Sequence, residues 1–176
     1  ILFENKSFWF EFDFELLVLI ICTILLVLLN SLALLFSIES NEPDLIKSAV
    51  EEFLRFQSPL QIGNRKATEN VKFGPEGSKV TVPAGSFLYT SIGAANRDPE
   101  RFHNPETVDI GRQPNPQIAF GSGKHICMGN TLGRIEGHVA IGKFVKRFPK
   151  LRMSGEKKYH GRARFRGLEI LPVDVS

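Results

Sequence analysis

Cysteine is scarce in this chain: Cys22 and Cys127 are the only two among 176 residues. Two thiols cannot form a disulfide framework, and a chain of this length needs none, so a reducing compartment is expected. The four histidines, His103, His125, His138 and His160, have no zinc-ligand spacing with either cysteine, which argues against a structural zinc module. No long Lys/Arg run interleaves with aromatics, so a nucleic-acid surface is not expected. Internal repeats and low-complexity tracts are lacking too. Charge is missing from the whole of residues 16–38, which are mostly Leu, Ile and Val. That run is long enough to span a bilayer. It lacks the basic start and small-residue cleavage site of a signal peptide. The chain opens on Ile rather than Met, which leads us to expect a fragment.

What is present is otherwise ordinary for a globular protein: 43% hydrophobic and 23% charged residues. The charge is unevenly divided. Residues 1–40 hold one lysine against five acids, net −4; the whole chain is +3, so residues 41–176 carry +7. That excess favours an acidic partner surface.

Residues 1–15 alternate Phe with acids, a period-two pattern that suggests a short strand. Residues 16–37 read as a helix apolar on all sides, either a membrane span or the central helix of a larger protein. Residues 41–58 predict a second helix, with Pro43 in its first turn and Pro59 as its stop. Residues 68–92 predict β structure: Val71–Phe73 and Lys79–Val82 flank a Gly-Pro-Glu-Gly turn, and Phe87–Ile92 follows. Residues 93–119 have no period and several Asn-Pro steps, the mark of a long functional loop. Residues 128–148 return to helical spacing, with an apolar stripe of Leu132, Ile135, Val139, Phe144, Val145 and Phe148. Basic loop follows, then a strand signal at 168–173.

The chemistry concentrates in Phe120-Gly121-Ser122-Gly123-Lys124-His125-Ile126-Cys127-Met128-Gly129. A cysteine just ahead of a helix is stabilised as the thiolate by oriented N–H groups and the dipole. Glycines at 121, 123 and 129 let backbone approach a flat ligand closely. Phe120 can pack beside the sulfur, and His125 can pair with a carboxylate. A phosphate loop is excluded, because His125 stands where Ser or Thr must follow Gly-Lys. A dinucleotide loop is excluded, because Ile126 stands where the third Gly must be. The bland alternative is a buried free cysteine beside a helix cap.

This segment resembles the haem-binding signature of cytochrome P450 monooxygenases, Phe-x-x-Gly-x-x-x-Cys-x-Gly, of bacterial type. The resemblance runs over about residues 30–176 and more weakly over 16–30. It implies an α+β chain: the C-terminal part of the mainly helical P450 fold, with a long apolar helix, a K-type helix, a small β-sheet, an irregular haem loop and an L-type helix. Residues 41–176 would be the haem-binding part, 16–38 an apolar helix, and 1–15 an undetermined segment. The implied cofactor is haem b, with Cys127 as axial thiolate pushing electron density toward O–O cleavage. Covalent attachment is excluded, since no Cys-x-x-Cys-His occurs.

The resemblance extends to other residues. Glu52 and Arg55 match the family's Glu-x-x-Arg, which shares one helix face. The alternative is a surface ion pair, for which Glu51 with Arg55 at i,i+4 would serve equally. The position where a third, cationic partner is common holds Thr107. Arg65 matches an arginine that pairs a haem propionate, a role His125 shares. Thr23 falls in the alcohol slot of the oxygen-activating helix, with Cys22 in the neighbouring acid slot and Leu19-Ile20 in place of glycines. The implied partners are a small organic substrate and a ferredoxin- or flavodoxin-type electron donor, the latter facing Lys124, Arg134 and Lys143. Lys157, Lys158, Arg162, Arg164 and Arg166 form a basic, solvated tail, one turn of which reaches the substrate pocket in the family. Two functions are expected. One is a monooxygenase inserting one oxygen atom from O₂. The other is a non-catalytic haem-binding module, its apolar helix in a membrane or covered by a partner. Alignment of residues 16–38 to the family's central helix favours a core role and a cytoplasmic setting over a membrane-associated one.

Overall fold

The computed structural model describes residues 43–174. Thr23, Cys22, the apolar run and the strand suggested within residues 1–15 lie outside them. Among the described residues no helix is long and apolar enough to cross a membrane.

Helix α1 spans Pro43–Phe56. Its apolar face is Ala49, Val50, Phe53 and Leu54, all at most 1% exposed. Burying Phe53 and Leu54 stabilises the fold by about 1.5–3 kcal/mol each. The helix ends where Ser58 turns its hydroxyl back to the Leu54 carbonyl (3.0 Å), and Pro59 cannot extend it.

Strand β1 (Ile62–Lys66) pairs antiparallel with β4 (Phe87–Ser91), Arg65 opposite Leu88. Between them lies the expected hairpin, β2 (Val71–Phe73) with β3 (Val80–Val82). β1 is new relative to the sequence reading: Gly63, Asn64 and Arg65 give it no strand propensity, and only pairing with β4 makes it a strand. A single turn of helix, α2 (Ile92–Ala95), follows.

Helix α3 spans Asn130–Arg147, within the expected limits. Its buried face differs from the apolar stripe. Gly133, Gly137, Ile141 and Val145 are buried, whereas Leu132, Ile135 and Val139 are at least half exposed. Glycine has no hydropathy signal to reveal that face; where α1 approaches, a Cβ at Gly142 would lie 3.4 Å from the Ile46 side chain. Ile141 and Val145 join the α1 face, Ile110, Ala119 and Phe120 in one core.

In the tail the strand signal at 168–173 is met by a strand at Leu168–Ile170, and short strands also form within the expected loop. Short strands β5 (Arg152–Met153) and β6 (Lys158–Tyr159) pair antiparallel with β8 (Val173–Asp174) and β7 (Leu168–Ile170) respectively. Two-residue strands are too short to show a period. Among the described residues the expected small sheet is therefore four separate two-stranded pairs. The tail is tied to the exit of α1: Arg166 N–H donates to Pro59 O (2.8 Å) and Gln61 N–H to Arg164 O (2.9 Å).

A cysteine-lined cavity and its supports

The loop 120–129 closes on itself. The Cys127 N–H donates to Phe120 O (2.9 Å), Gly121 N–H to Ile118 O (2.8 Å) and Ile126 N–H to Gly123 O (3.2 Å). A 3-10 turn occupies Gly123–His125. Gly121 and Gly123 sit at φ +75° and +70°, the left-handed region that glycine enters without a steric cost. At Gly123 an added Cβ would meet nothing within 4 Å. A Gly123→Ala chain is therefore expected to lose about 1 kcal/mol, from backbone conformation alone; urea unfolding of the purified chain measures it.

Cys127 is a free, half-buried thiol three residues ahead of α3. It lines a cavity of about 610 Å³, a volume typical of cofactor sites. Phe120, Gly121, His125, Gly129 and Arg65 line the same cavity, together with Lys124. Gly123 does not; it shapes the turn behind. Arg65 and His125 are both exposed, Arg65 donating to the Asn64 carbonyl (2.8 Å). Apolar walls come from Leu54, Leu60, Ile92, Ile118 and Ile126. Arg164 and Phe165 bring the tail into the lining.

The arrangement suits an iron porphyrin. Among the described residues no three His, Cys, Asp or Glu side chains converge on a metal site. A single thiol on an apolar wall fits a metal that brings its own equatorial ligands. The cations Arg65 and Lys124, with His125, suit a ligand that is apolar in its body and acidic at its edge. At Gly129 an added Cβ would sit 3.8 Å from the Cys127 sulfur.

Glu52 and Arg55 do not line the cavity; they are fully buried beside it. Arg55 Nε donates to Glu52 Oε2 and Nη2 to Oε1, both at 2.8 Å. The third member is Arg112, not a residue at Thr107. Arg112 Nε lies 3.1 and 3.0 Å from the two Glu52 oxygens. Thr107 contributes only its carbonyl, accepting from Arg55 Nη2 (3.0 Å). The irregular segment carries Arg97, Arg101 and Arg112. Its path, rather than its pattern, selects Arg112. Arg97 instead donates to Phe56 O (2.7 Å), lies over the Phe56 ring and pairs with Glu106.

Glu51 is not the alternative partner of Arg55. It faces α3, where Arg134 Nε donates to its Oε1 (2.6 Å). Arg134 is thus turned inward rather than presented to a partner, while Lys124 and Lys143 are exposed. His138, one turn further on, has a buried Nε2 with no hydrogen-bond partner among the described residues. Burial holds its pKa below the usual 6.5; nearby Glu51 opposes this, and Lys47 and Arg134 reinforce it. The unfolded chain therefore binds a proton that the folded one declines. Stability from this group is whole above pH 6.5 and falls as the pH drops through 6.5 toward the lowered folded value. A His138→Gln chain should show a smaller loss of urea midpoint than wild type between about pH 7.5 and about pH 5.5.

Residues 40–160 match the family model described as Cytochrome P450. The biotin biosynthesis cytochrome P450 of Bacillus subtilis is 45% identical over 132 residues, 74% of this chain and 32% of that protein. Cytochrome P450 107B1 of Saccharopolyspora erythraea is 42% identical over 137 residues, 76% of this chain and 33% of that protein. The crystal structure of P450BioI, in complex with a hexadec-9Z-enoic acid-ligated acyl carrier protein, superposes with a TM-score of 0.82 at 42% identity. The match covers 89% of this chain and 40% of that one. The chain thus spans about a third of the length of the curated relatives it matches. With the family model covering most of the sequence, the chain belongs to the cytochrome P450 family.

Proposed function

We propose that this chain forms the cysteine side of a haem-thiolate site, in which the Cys127 thiolate would hold the iron. The protein it represents would insert one oxygen atom from O₂ into a small organic substrate. The observation that carries this is a half-buried free thiol on the wall of a cavity of about 610 Å³ rimmed by Arg65, Lys124 and His125.

Bound there, an iron porphyrin would be held by the Cys127 thiolate and would supply the redox chemistry with dioxygen. The chain's own residues do the rest. Phe120, part of the core cluster against which Cys127 packs, keeps water from that side of the sulfur. Gly121 and Gly129 keep side chains away from the face where a flat ring lies. Arg65 and His125 hold propionates by charge and hydrogen bonding. Glu52, Arg55 and Arg112 keep the segment before the loop in place. In family terms α1 is the K-type helix, α3 the L-type helix, and residues 41–176 the haem-binding part. The electron donor is of the ferredoxin or flavodoxin class, facing Lys124 and Lys143, in the cytoplasmic setting that the cysteine usage suggests.

A second reading, a non-catalytic haem-binding module, is favoured by Leu19-Ile20 and Cys22 in the glycine and acid slots. Titrating the purified chain with haem, then recording its reduced, CO-bound spectrum, tests both. A thiolate-type Soret band is expected. Absence of haem uptake overturns both readings. Haem uptake with the band, but without product from any substrate supplied with donor and NADPH, favours the module.

A further inference from the structure

We infer that the Glu51–Arg134 ion pair is a positioning clamp for the cysteine loop, holding the two residues that fix the backbone of Cys127 on either side. The inference deepens the haem-thiolate reading and rests on it for its spectroscopic consequence.

The connections form a closed circuit. Cys127 donates its N–H to the Phe120 carbonyl (2.9 Å). Its own carbonyl accepts from the Asn130 N–H (3.2 Å) and from Asn130 Nδ2 (2.6 Å). Arg134 reaches both neighbours. Its Nη1 donates to Asn130 Oδ1 (2.9 Å), and its guanidinium lies over the Phe120 ring, 4.8 Å from the centroid. Arg134 is in turn held by both oxygens of Glu51, through Nε (2.6 Å) and Nη2 (3.2 Å). Glu51 Oε2 also accepts from Gln117 Nε2 (2.7 Å), whose Oε1 takes the Ala119 N–H (2.7 Å). One carboxylate on α1 therefore governs both the entry to the loop, at residues 117–120, and its exit into α3.

The chemistry of the pair suits positioning. The two side chains are 27% and 30% exposed, so solvent screens their attraction in part, unlike that of the fully buried Glu52–Arg55 pair. What it supplies is direction. A guanidinium is a rigid planar fork that can meet a carboxylate on one edge, an amide on another and an aromatic ring on its face. An ammonium at the same place keeps the charge and loses the plane. The two adjacent glutamates thus divide the work: Glu52 locks the buried brace, and Glu51 holds the loop that presents the sulfur.

The test compares the full chain with Arg134→Gln, Arg134→Lys and Glu51→Gln. Without haem, amide hydrogen exchange at Cys127 should be about tenfold faster in each variant, with the urea midpoint nearly unchanged. With haem, the thiolate-type share of the reduced, CO-bound spectrum should fall several-fold, and Arg134→Lys should not restore it. The double variant should be no worse than either single one, because the pair acts as a unit. Lys146→Gln, an exposed cation on the same helix, should change neither readout. Unchanged exchange at Cys127 overturns the clamp whatever haem does. Rescue by Arg134→Lys also overturns it, since charge alone would then suffice. Faster exchange in a chain that never shows the thiolate band leaves the clamp standing and removes the haem-thiolate reading instead.

Discussion

A Glu52→Gln chain is expected to lose about 3–5 kcal/mol of stability, a large part of what a domain of this size possesses. The substitution keeps the shape and removes the charge. Two guanidiniums, Arg55 at 0% and Arg112 at 9% exposure, are then left without their counter-ion away from water. The same carboxylate also accepts from the Asp109 N–H (2.9 Å) and Asn115 Nδ2 (3.2 Å), bonds that an amide cannot all replace. The effect is not confined to α1. Arg55 reaches the carbonyls of Asn96 and Pro105 (2.9 Å each) and of Thr107 (3.0 Å), so the brace sets the path of the irregular segment. Urea unfolding followed by circular dichroism measures the loss. A change below about 1 kcal/mol, as for an exposed pair, would contradict the brace. Replacing all three charged residues with apolar ones would be less informative, because a buried ion cluster and well-packed side chains can be equally stable.

Cys127→Ser should have the opposite profile: little loss of stability and complete loss of the thiolate-type spectrum. Serine keeps the backbone, so the bonds from Cys127 N–H to Phe120 O and from Asn130 to Cys127 O remain. The side chain is only half-buried, and the substitution changes one atom, so the stability should move by less than about 1 kcal/mol. The alcohol does not ionise near neutral pH and is a poor soft donor, so the band and any monooxygenation fall to background. A thiolate-type band that survives in the Cys127→Ser chain would mean that another group ligates the iron. Glu52→Gln and Cys127→Ser together separate what holds the site from what does its chemistry.

The contrast between legible and hidden features follows the distance along the chain. The cysteine loop is ten consecutive residues, and its spacing survives any fold. The α1 and α3 limits were legible because Pro and Gly act on the residues beside them. The hairpin Val71–Phe73 with Val80–Val82 was legible through its Gly-Pro-Glu-Gly turn, where Gly74 and Gly77 take positive φ. β1 was not, because its strand character comes from pairing with β4 across an inserted hairpin. Nor was the buried face of α3, where Gly133 and Gly137 are buried while Leu132 and Ile135 stay open.

For the site the same division holds. Residue types and their local order were enough to single out Cys127, His125, Phe120 and the flanking glycines as candidates, because a thiolate, a close backbone and a helix start are local requirements. Which glutamate meets which arginine was decided only in three dimensions. Glu51 and Glu52 are neighbours in the chain, yet a helix turns consecutive side chains about 100° apart. One therefore faces Arg134, 83 residues away, and the other Arg112, 60 residues away. Hydrogen bonds of that span leave no periodicity to read. They exist because packing α1 against α3 and the irregular segment brings a different distant cation to each carboxylate.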